Sequence, residues 1–393
     1  MELTSDALVN TLLAAGSLSL LLTLWLWPRL ARQRPLPMLG RVALLTVTQV
    51  TVLAVLAVSV NNSFGFYTSW DGLLHPGGAA LSLTSAGHPR SAAPATEALV
   101  APTAEGGLET VTDLPKGTPE EVGKVESIRV TGKESGLSDQ MFIYLPPEYF
   151  NPKYSRMRFP VLVALAGYPG TALHLLSELR LPQTAWELQR TGQMVPTVIV
   201  MARPTVAEPR NTECVNVPNG PQSETWFAKD VPAALRATYR LGREAASWGI
   251  FGYSTGGGCA LRLTMRYPDV FGNAAGLHAD FAVPEDYSTG GNLFGGDRTL
   301  LNHSDLTWRL NNLPVPDISL LLVSTRKEED YAATQAFLGV AQQASVAHPE
   351  LRVDSLFLDD GGHNFDSWRR ELPASLEWMS DHLATPQDRE PRQ

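Results

Sequence analysis

The chain has 393 residues, a formal net charge of −9 and a pI near 5.4. That acidic balance argues against nucleic acid as a partner, while 44% hydrophobic residues suffice for one large domain or two smaller ones. The two cysteines, Cys214 and Cys259, permit at most one internal disulfide and form no metal-type Cys/His spacing, so neither a metal nor a cofactor is expected.

Taken in order, the chain opens with two almost continuously apolar runs, 7–27 and 42–60. Each is long enough to cross a bilayer, which takes about 20 residues. Between them Arg29, Arg32, Arg34 and Arg41 occur without an acid, so the positive-inside rule places this loop in the cytoplasm. The hairpin is then a membrane anchor occupying 1–74, and everything after it is extracytoplasmic. Trp25, Trp27, Phe64, Phe66, Tyr67 and Trp70 fall near the span ends, where amphipathic rings favour the interface. A cleaved signal peptide fits less well, because Glu2 and Asp6 stand where a basic n-region belongs.

Residues 75–124 are rich in Ala, Pro, Gly, Ser and Thr and read as a flexible linker. A coil of ~50 residues spans roughly 40 Å root-mean-square, enough to hold a domain clear of a membrane surface. From 125 to 384 short apolar runs alternate with helical patterns. Strands are expected at Glu126–Val130, Met141–Leu145, Phe159–Leu165, Thr197–Met201, Trp248–Tyr253, Asn273–Leu277, Ile318–Ser324 and Arg352–Leu358. Helices are expected at Leu179–Thr191, Ser223–Arg240, after Ser254, at Ala332–Ala344 and at Leu372–Leu383. This alternation predicts an α/β, doubly wound, mostly parallel sheet. The stretch Ala282–Pro316 has weak periodicity and reads as a lid, and 385–393 as a disordered tail.

The chemistry concentrates at Gly252-Tyr253-Ser254-Thr255-Gly256, a Gly-x-Ser-x-Gly pattern between an apolar strand and a helix. This is the nucleophile elbow, whose tight turn excludes side chains on its flanks and puts Ser254 at a helix N-terminus. Free amides there can face a developing oxyanion. Serine needs a base and a group to orient it, and in this arrangement they follow in the order Ser, acid, His. His363 follows an apolar strand within Asp359-Asp360-Gly361-Gly362-His363 and is the expected base. His278 ends the strand beside the elbow, in place to line the pocket. His348 and His382 read as surface residues.

The acid belongs just after Ile318–Ser324, where Glu328, Glu329 and Asp330 are adjacent. Glu328, the first of the three, is preferred and Asp330 is the alternative; Asp359 and Asp360 are fallbacks. The oxyanion donors are expected to be the amides of Thr255 and Tyr168, the latter in Ala166-Gly167-Tyr168-Pro169-Gly170 after an earlier strand. In an oxidising compartment Cys214 and Cys259 are expected to pair, which sets the 210–218 loop beside the site as a wall of the substrate pocket.

The segments Glu224-Thr225-Trp226-Phe227, Gly252-Tyr253-Ser254-Thr255-Gly256-Gly257, Tyr267-Pro268-Asp269-Val270-Phe271 and Gly361-Gly362-His363-Asn364 together resemble the esterase D and mycolyltransferase family of α/β-hydrolases. Thr212-Glu213-Cys214 and Gly362-His363-Asn364-Phe365 with Trp368 resemble, more narrowly, membrane-anchored esterases of actinobacteria. The resemblance covers about 125–383. It implies a triad of Ser254, His363 and a carboxylate, and carboxylic-ester substrates or acyl transfer. The acid loop departs from a simple Gly-x-x-Asp arrangement. Three functions are therefore set side by side: a serine esterase acting outside the cytoplasm through an acyl-enzyme, an acyltransferase moving an acyl group to a cell-envelope lipid or glycan, and a non-catalytic envelope-binding domain on a hydrolase scaffold.

Overall fold

The computed structural model describes residues 6–30, 35–64, 99–104, 106–207 and 210–388. The chain divides into two units, 1–92 and 93–393.

The first unit is a pair of helices, Asp6–Leu26 and Pro35–Phe64. Spans of 19 and 27 residues within them contain 18-residue stretches with mean hydropathies of 1.7 and 2.2, long and apolar enough to cross a membrane by length and composition. The two run antiparallel. Leu8 packs with Val58, Gly16 lies against Thr51, and the Ser19 and Thr48 hydroxyls are 2.8 Å apart. Leu18, Leu21, Leu24 and Leu53 stay exposed, so the pair is apolar all round rather than on one stripe. The second helix begins at Pro35, earlier than the apolar run at 42, so Arg41 sits on the helix; its guanidinium lies over the Trp27 ring as Arg29 lies over Trp25.

The linker expected at 75–124 lies outside the described residues as far as 98. From there on it is not a free coil, because its short apolar run Leu99-Val100-Ala101 finds a sheet edge. β1 (Val100–Pro102) pairs antiparallel with β2 (Lys124–Thr131), and a capped turn of helix, Pro119–Val122, leads into β2. β2 forms a hairpin with β3 (Ser138–Leu145). Next come β4 (Met157–Arg158), β5 (Val161–Leu165), β6 (Val198–Ala202), β7 (Trp248–Tyr253), β8 (Asn273–Leu277), β9 (Ile318–Thr325) and β10 (Leu351–Leu358). The nine-stranded sheet has the order β1-β2-β3-β6-β5-β7-β8-β9-β10. β1, β2, β3 and β6 are joined antiparallel, and every pairing from β6 to β10 is parallel.

The inner strands β5, β6, β7, β8 and β9 are buried on both faces, which explains their largely apolar sequences, whereas β10 at the sheet edge is only partly buried. Val161, Val163 and Leu165 of β5 join a cluster with Trp226, Leu235, Cys259 and Leu261; the alternate residues Leu162 and Ala164 join a second cluster with Leu175, Leu181, Leu372 and Leu376. Helices therefore cover both faces, as in a doubly wound fold.

Three elements differ from expectation. The helix from Ser223 to Thr238 carries a π-helical segment, Trp226–Asp230, and the Asp230 carboxylate accepts amides from Lys133, Glu134 and Ser135, docking the β2–β3 hairpin. The last helix starts at Phe365 rather than Leu372, because the Asn364 side chain caps it by accepting from the Ser367 amide. The tail expected to be disordered pairs, at β11 (Gln387–Asp388), with β4.

Candidate active site

The elbow has the geometry its sequence demands. Ser254 follows β7 with φ 57° and ψ −129°, a strained backbone for a residue with a side chain, and the helix Thr255–Arg266 starts immediately after it. A Cβ on Gly256 would lie 2.3 Å from the Leu165 carbonyl oxygen, and one on Gly252 would lie 2.5 Å from Gly256, so both glycines are required by close approach.

The structure brings three of the expected residues into one chain. The Ser254 hydroxyl donates to His363 Nε2 at 2.8 Å, and His363 Nδ1–H donates to Glu328 Oε1 at 2.6 Å. His363 comes from the loop after β10. Gly361, at φ 143°, has no room for a Cβ, which would meet Ser367 Oγ at 2.6 Å; the Gly362 amide then donates to that hydroxyl at 2.9 Å. The loop is thus tied to the start of the last helix. The His363 ring stands edge-on to Trp368, which stacks on Tyr253 at 4.3 Å.

Glu328 is delivered by a turn after β9, its amide donating to the Thr325 carbonyl. Its side chain is 4% exposed. Glu329 and Asp330 point outward, and Asp330 occupies the N-cap position of the helix Tyr331–Ala347. Asp359 and Asp360 pair at the surface with Arg326 and Arg370. Of the candidate acids the structure places Glu328 on His363 and directs the others elsewhere.

Thr255 is the first residue of the elbow helix, where an amide has no intrahelical acceptor; the Gly257 and Gly258 amides are taken by the Ser254 carbonyl. Tyr168 lies on the loop after β5, joined to Pro169 by a cis peptide. That loop passes so close to the elbow that a Cβ on Gly167 would come within 3.0 Å of Ser254 Cβ.

Cys214 and Cys259 are bonded, with Cα atoms 5.6 Å apart. Beside the bridge, the Arg262 Nη1 group donates to the Glu213 carbonyl at 2.7 Å, and both side chains are buried. The 210–217 loop also reaches the lid. Arg210 donates to the Thr289 and Asn292 carbonyls, while Val215 and Val217 share an apolar cluster with Val283, Leu293 and Phe294. Within the lid two short helices form, Arg298–Ser304 and Leu306–Asn312, each capped by an aspartate, Asp297 and Asp305. The bridge closes a 45-residue separation, for which loop entropy predicts a stabilisation of about 4 kcal/mol. Replacing both cysteines with alanine is expected to lower Tm, and the reductant sensitivity of the wild-type melt is expected to vanish in that variant.

Two residues of the site were not assigned from sequence. His278, expected to line the pocket, is instead fully buried behind the acid. Its Nδ1 is in ion-pair contact with Glu328 Oε2, and its Nε2 lies 3.0 Å from both oxygens of Glu371, itself fully buried in the last helix. Burial opposes the His278 charge, yet hydrogen bonds to the two carboxylates and their negative charge push the imidazole up to about 9. Burial likewise opposes the Glu328 charge, but hydrogen bonds to His278 and His363 outweigh it and hold the carboxyl down at about 2. Burial raises Glu371, with His278 pulling the other way. His278, Glu328 and His363 offer three metal-type donor atoms within 4.8 Å of one another. Each faces a neighbouring side chain in the row Ser254, His363, Glu328, His278, Glu371. A signal for Glu371 exists in the sequence: it falls among Trp368, Leu372 and Ser375 on the buried stripe of an amphipathic helix, where a carboxylate needs a partner.

A parallel sheet flanked by helices, with a serine elbow after a central strand and a histidine after the last, defines an α/β-hydrolase. The family model described as "Putative esterase" matches residues 136–379, more than half of the chain, and the chain belongs to that family of esterases. A curated relative, an uncharacterized protein of Corynebacterium glutamicum, is 26% identical over 291 residues, covering 70% of this chain; the match spans 65% of that relative's length. Among solved structures, a ferulic acid esterase superposes with a TM-score of 0.57 at 20% identity, covering 66% of this chain and 98% of its own. An S-formylglutathione hydrolase from Agrobacterium tumefaciens gives 0.53 at 14%, covering 66% and 95%. A fluorophosphonate-binding serine hydrolase of Staphylococcus aureus gives 0.52 at 16%, covering 65% and 98%. At these identities the structural likeness speaks for the fold.

Proposed function

We propose that this protein is a serine-dependent carboxylic ester hydrolase that works through an acyl-enzyme on Ser254. The observation that carries the reading is the hydrogen-bonded chain Ser254–His363–Glu328, with links of 2.8 and 2.6 Å. Ser254 Oγ attacks the ester carbonyl carbon while its proton passes to His363 Nε2. The carbonyl oxygen becomes an oxyanion facing the Thr255 and Tyr168 amides. On collapse the C–O bond to the alcohol breaks, and the departing oxygen takes the proton from Nε2. Water, deprotonated by the same nitrogen, then attacks the acyl-enzyme and releases the acid. Glu328 holds the imidazole through Nδ1–H and balances its charge when both nitrogens are protonated.

The length and apolarity of the helices at 6–26 and 35–64 support a membrane anchor, and the arginines between them, by the positive-inside rule, favour a hydrolase unit outside the cytoplasm. A disulfide beside the elbow fits an oxidising compartment. Membrane-tethered and outward-facing, the enzyme acts on envelope or environmental esters, including lipid or glycan esters.

The test is a series of p-nitrophenyl esters of increasing acyl length, offered to the detergent-solubilised chain with and without added alcohols or glycans. Esterase activity yields free acid in proportion to released alcohol. Diversion of the acyl group onto the added acceptor marks an acyltransferase with the same nucleophile, since acceptor choice depends on water exclusion. No turnover on any ester, together with no covalent labelling of Ser254, marks a binding domain and contradicts the reading.

A further inference from the structure

The chain of charges does not stop at the triad acid. It continues inward as Ser254–His363–Glu328–His278–Glu371, drawn from five separate places in the sequence. Resting on the hydrolase reading above, we propose that His278 and Glu371 are positioning residues: His278 acts as a buried imidazolium clamped between two carboxylates, fixing the orientation and ionisation of Glu328 for catalysis.

One Glu328 carboxylate oxygen serves His363, and the other turns inward, where the Ser324 hydroxyl donates to it at 3.3 Å and its negative charge still needs a cation. His278 fills that place from the end of β8, where its own backbone is held at φ 50° and its amide donates to the Val323 carbonyl at 2.8 Å. Both ring nitrogens face carboxylate oxygens, and because ionised carboxylates only accept, serving both at once calls for the cationic form. Glu371 then supplies the counter-charge that lets a cation sit fully buried. Around His278 the titratable neighbours are Glu328 from the loop after β9, Glu371 from the last helix and His363, whose ring lies edge-on at 5.8 Å. The Arg370 charge acts on Glu371, and Asp280, two residues along, acts on His363 and Arg262.

A structural clamp alone would need only shape. The charged relay makes a sharper demand on pH. When His278 loses a proton, one nitrogen presents a lone pair to a carboxylate, so the clamp loses its charge and one of its two hydrogen bonds and the hold on Glu328 weakens. Wild-type kcat is therefore expected to fall as pH rises through about 9. In Glu371→Gln the neutral imidazole stays satisfied, because Nδ1–H still donates to Glu328 while Nε2 accepts from the Gln amide, so this alkaline limb is expected to disappear. In His278→Gln the single amide nitrogen serves Glu328, but the amide oxygen faces the Glu371 carboxylate. That variant is expected to lose about 10–100-fold in kcat with KM nearly unchanged, the scale typical of partners one step removed from the reacting groups. Adding Glu371→Gln to it removes the repulsion and is expected to recover about threefold or more, a coupling that two independent sites would not show.

The experiment uses the full chain in detergent, with p-nitrophenyl butyrate for kcat and KM across pH and the rate of fluorophosphonate labelling as a second readout. A kcat-only loss in His278→Gln, its relief by Glu371→Gln and the vanished alkaline limb in Glu371→Gln support the proposal. Wild-type kcat and an unshifted limb in both single variants, or a loss in His278→Gln that Glu371→Gln does not relieve, overturn it. Should His278→Gln fail to fold, the limb in Glu371→Gln decides alone: absent supports, unshifted overturns. A wild-type chain that neither hydrolyses esters nor labels at Ser254 overturns the hydrolase reading itself. A Ser254-dependent enzyme indifferent to His278 and Glu371 overturns only this one.

Discussion

Ser254→Ala loses ester hydrolysis by about 10⁴–10⁶-fold in kcat while the protein stays folded. The size follows from the role proposed for the hydroxyl, which lies 2.8 Å from His363 Nε2 and forms the acyl bond. Residual turnover from the oxyanion donors and binding alone sets the floor. The fold should tolerate the change, because Ser254 is only partly buried and the alanine keeps the same Cβ at the same strained φ of 57°. The check is kcat on an activated ester beside a thermal melt. An unchanged melt with turnover within tenfold of wild type would remove Ser254 from the mechanism.

Glu328→Gln is the second large effect, about 10³–10⁴-fold in kcat, with Asp330→Asn close to wild type as its control. Glu328 accepts from two imidazoles at once, His363 at one oxygen and His278 at the other. A glutamine has one oxygen to offer, and its NH₂ must face one of the two N–H groups. Either His363 turns to the wrong tautomer or the His278 link breaks. Asp330 is exposed at a helix N-cap position and touches neither ring. A loss in Asp330→Asn comparable to that in Glu328→Gln would reassign the acid.

Glu328 and His278 each contribute to the pH dependence of stability. The Glu328 carboxyl is held below its ordinary 4.5, at about 2, so its contribution is present above 4.5 and lost as pH falls through about 2. His278 is raised above its ordinary 6.5, so its contribution is present below 6.5 and lost as pH rises through about 9. Both terms are complete between about 4.5 and 6.5.

Ser254 and His363, the proposed nucleophile and base, stand out in the sequence because backbone mechanics constrain the glycines around them. Gly252 and Gly256 are forced by the approach of Leu165, and Gly361 by the approach of Ser367. The inner parallel strands were legible because two buried faces leave a largely apolar run. The acid was narrowed only to a trio, since Glu328, Glu329 and Asp330 share one turn and differ in side-chain direction, which a sequence does not carry. His278 and Glu371 were missed as a pair for a related reason. They are 93 positions apart and meet only once β8 and the last helix pack together. β1 was absorbed into the linker because three residues are too few for a period to show.

The central claim, that Ser254 is an activated nucleophile, is tested most directly by treating the full-length chain with a fluorophosphonate and mapping the adduct by peptide mass spectrometry. One adduct per chain on Ser254, abolished by His363→Ala, is the predicted result. No adduct on the wild-type protein, or an adduct on another residue with Ser254 unmodified, would contradict it.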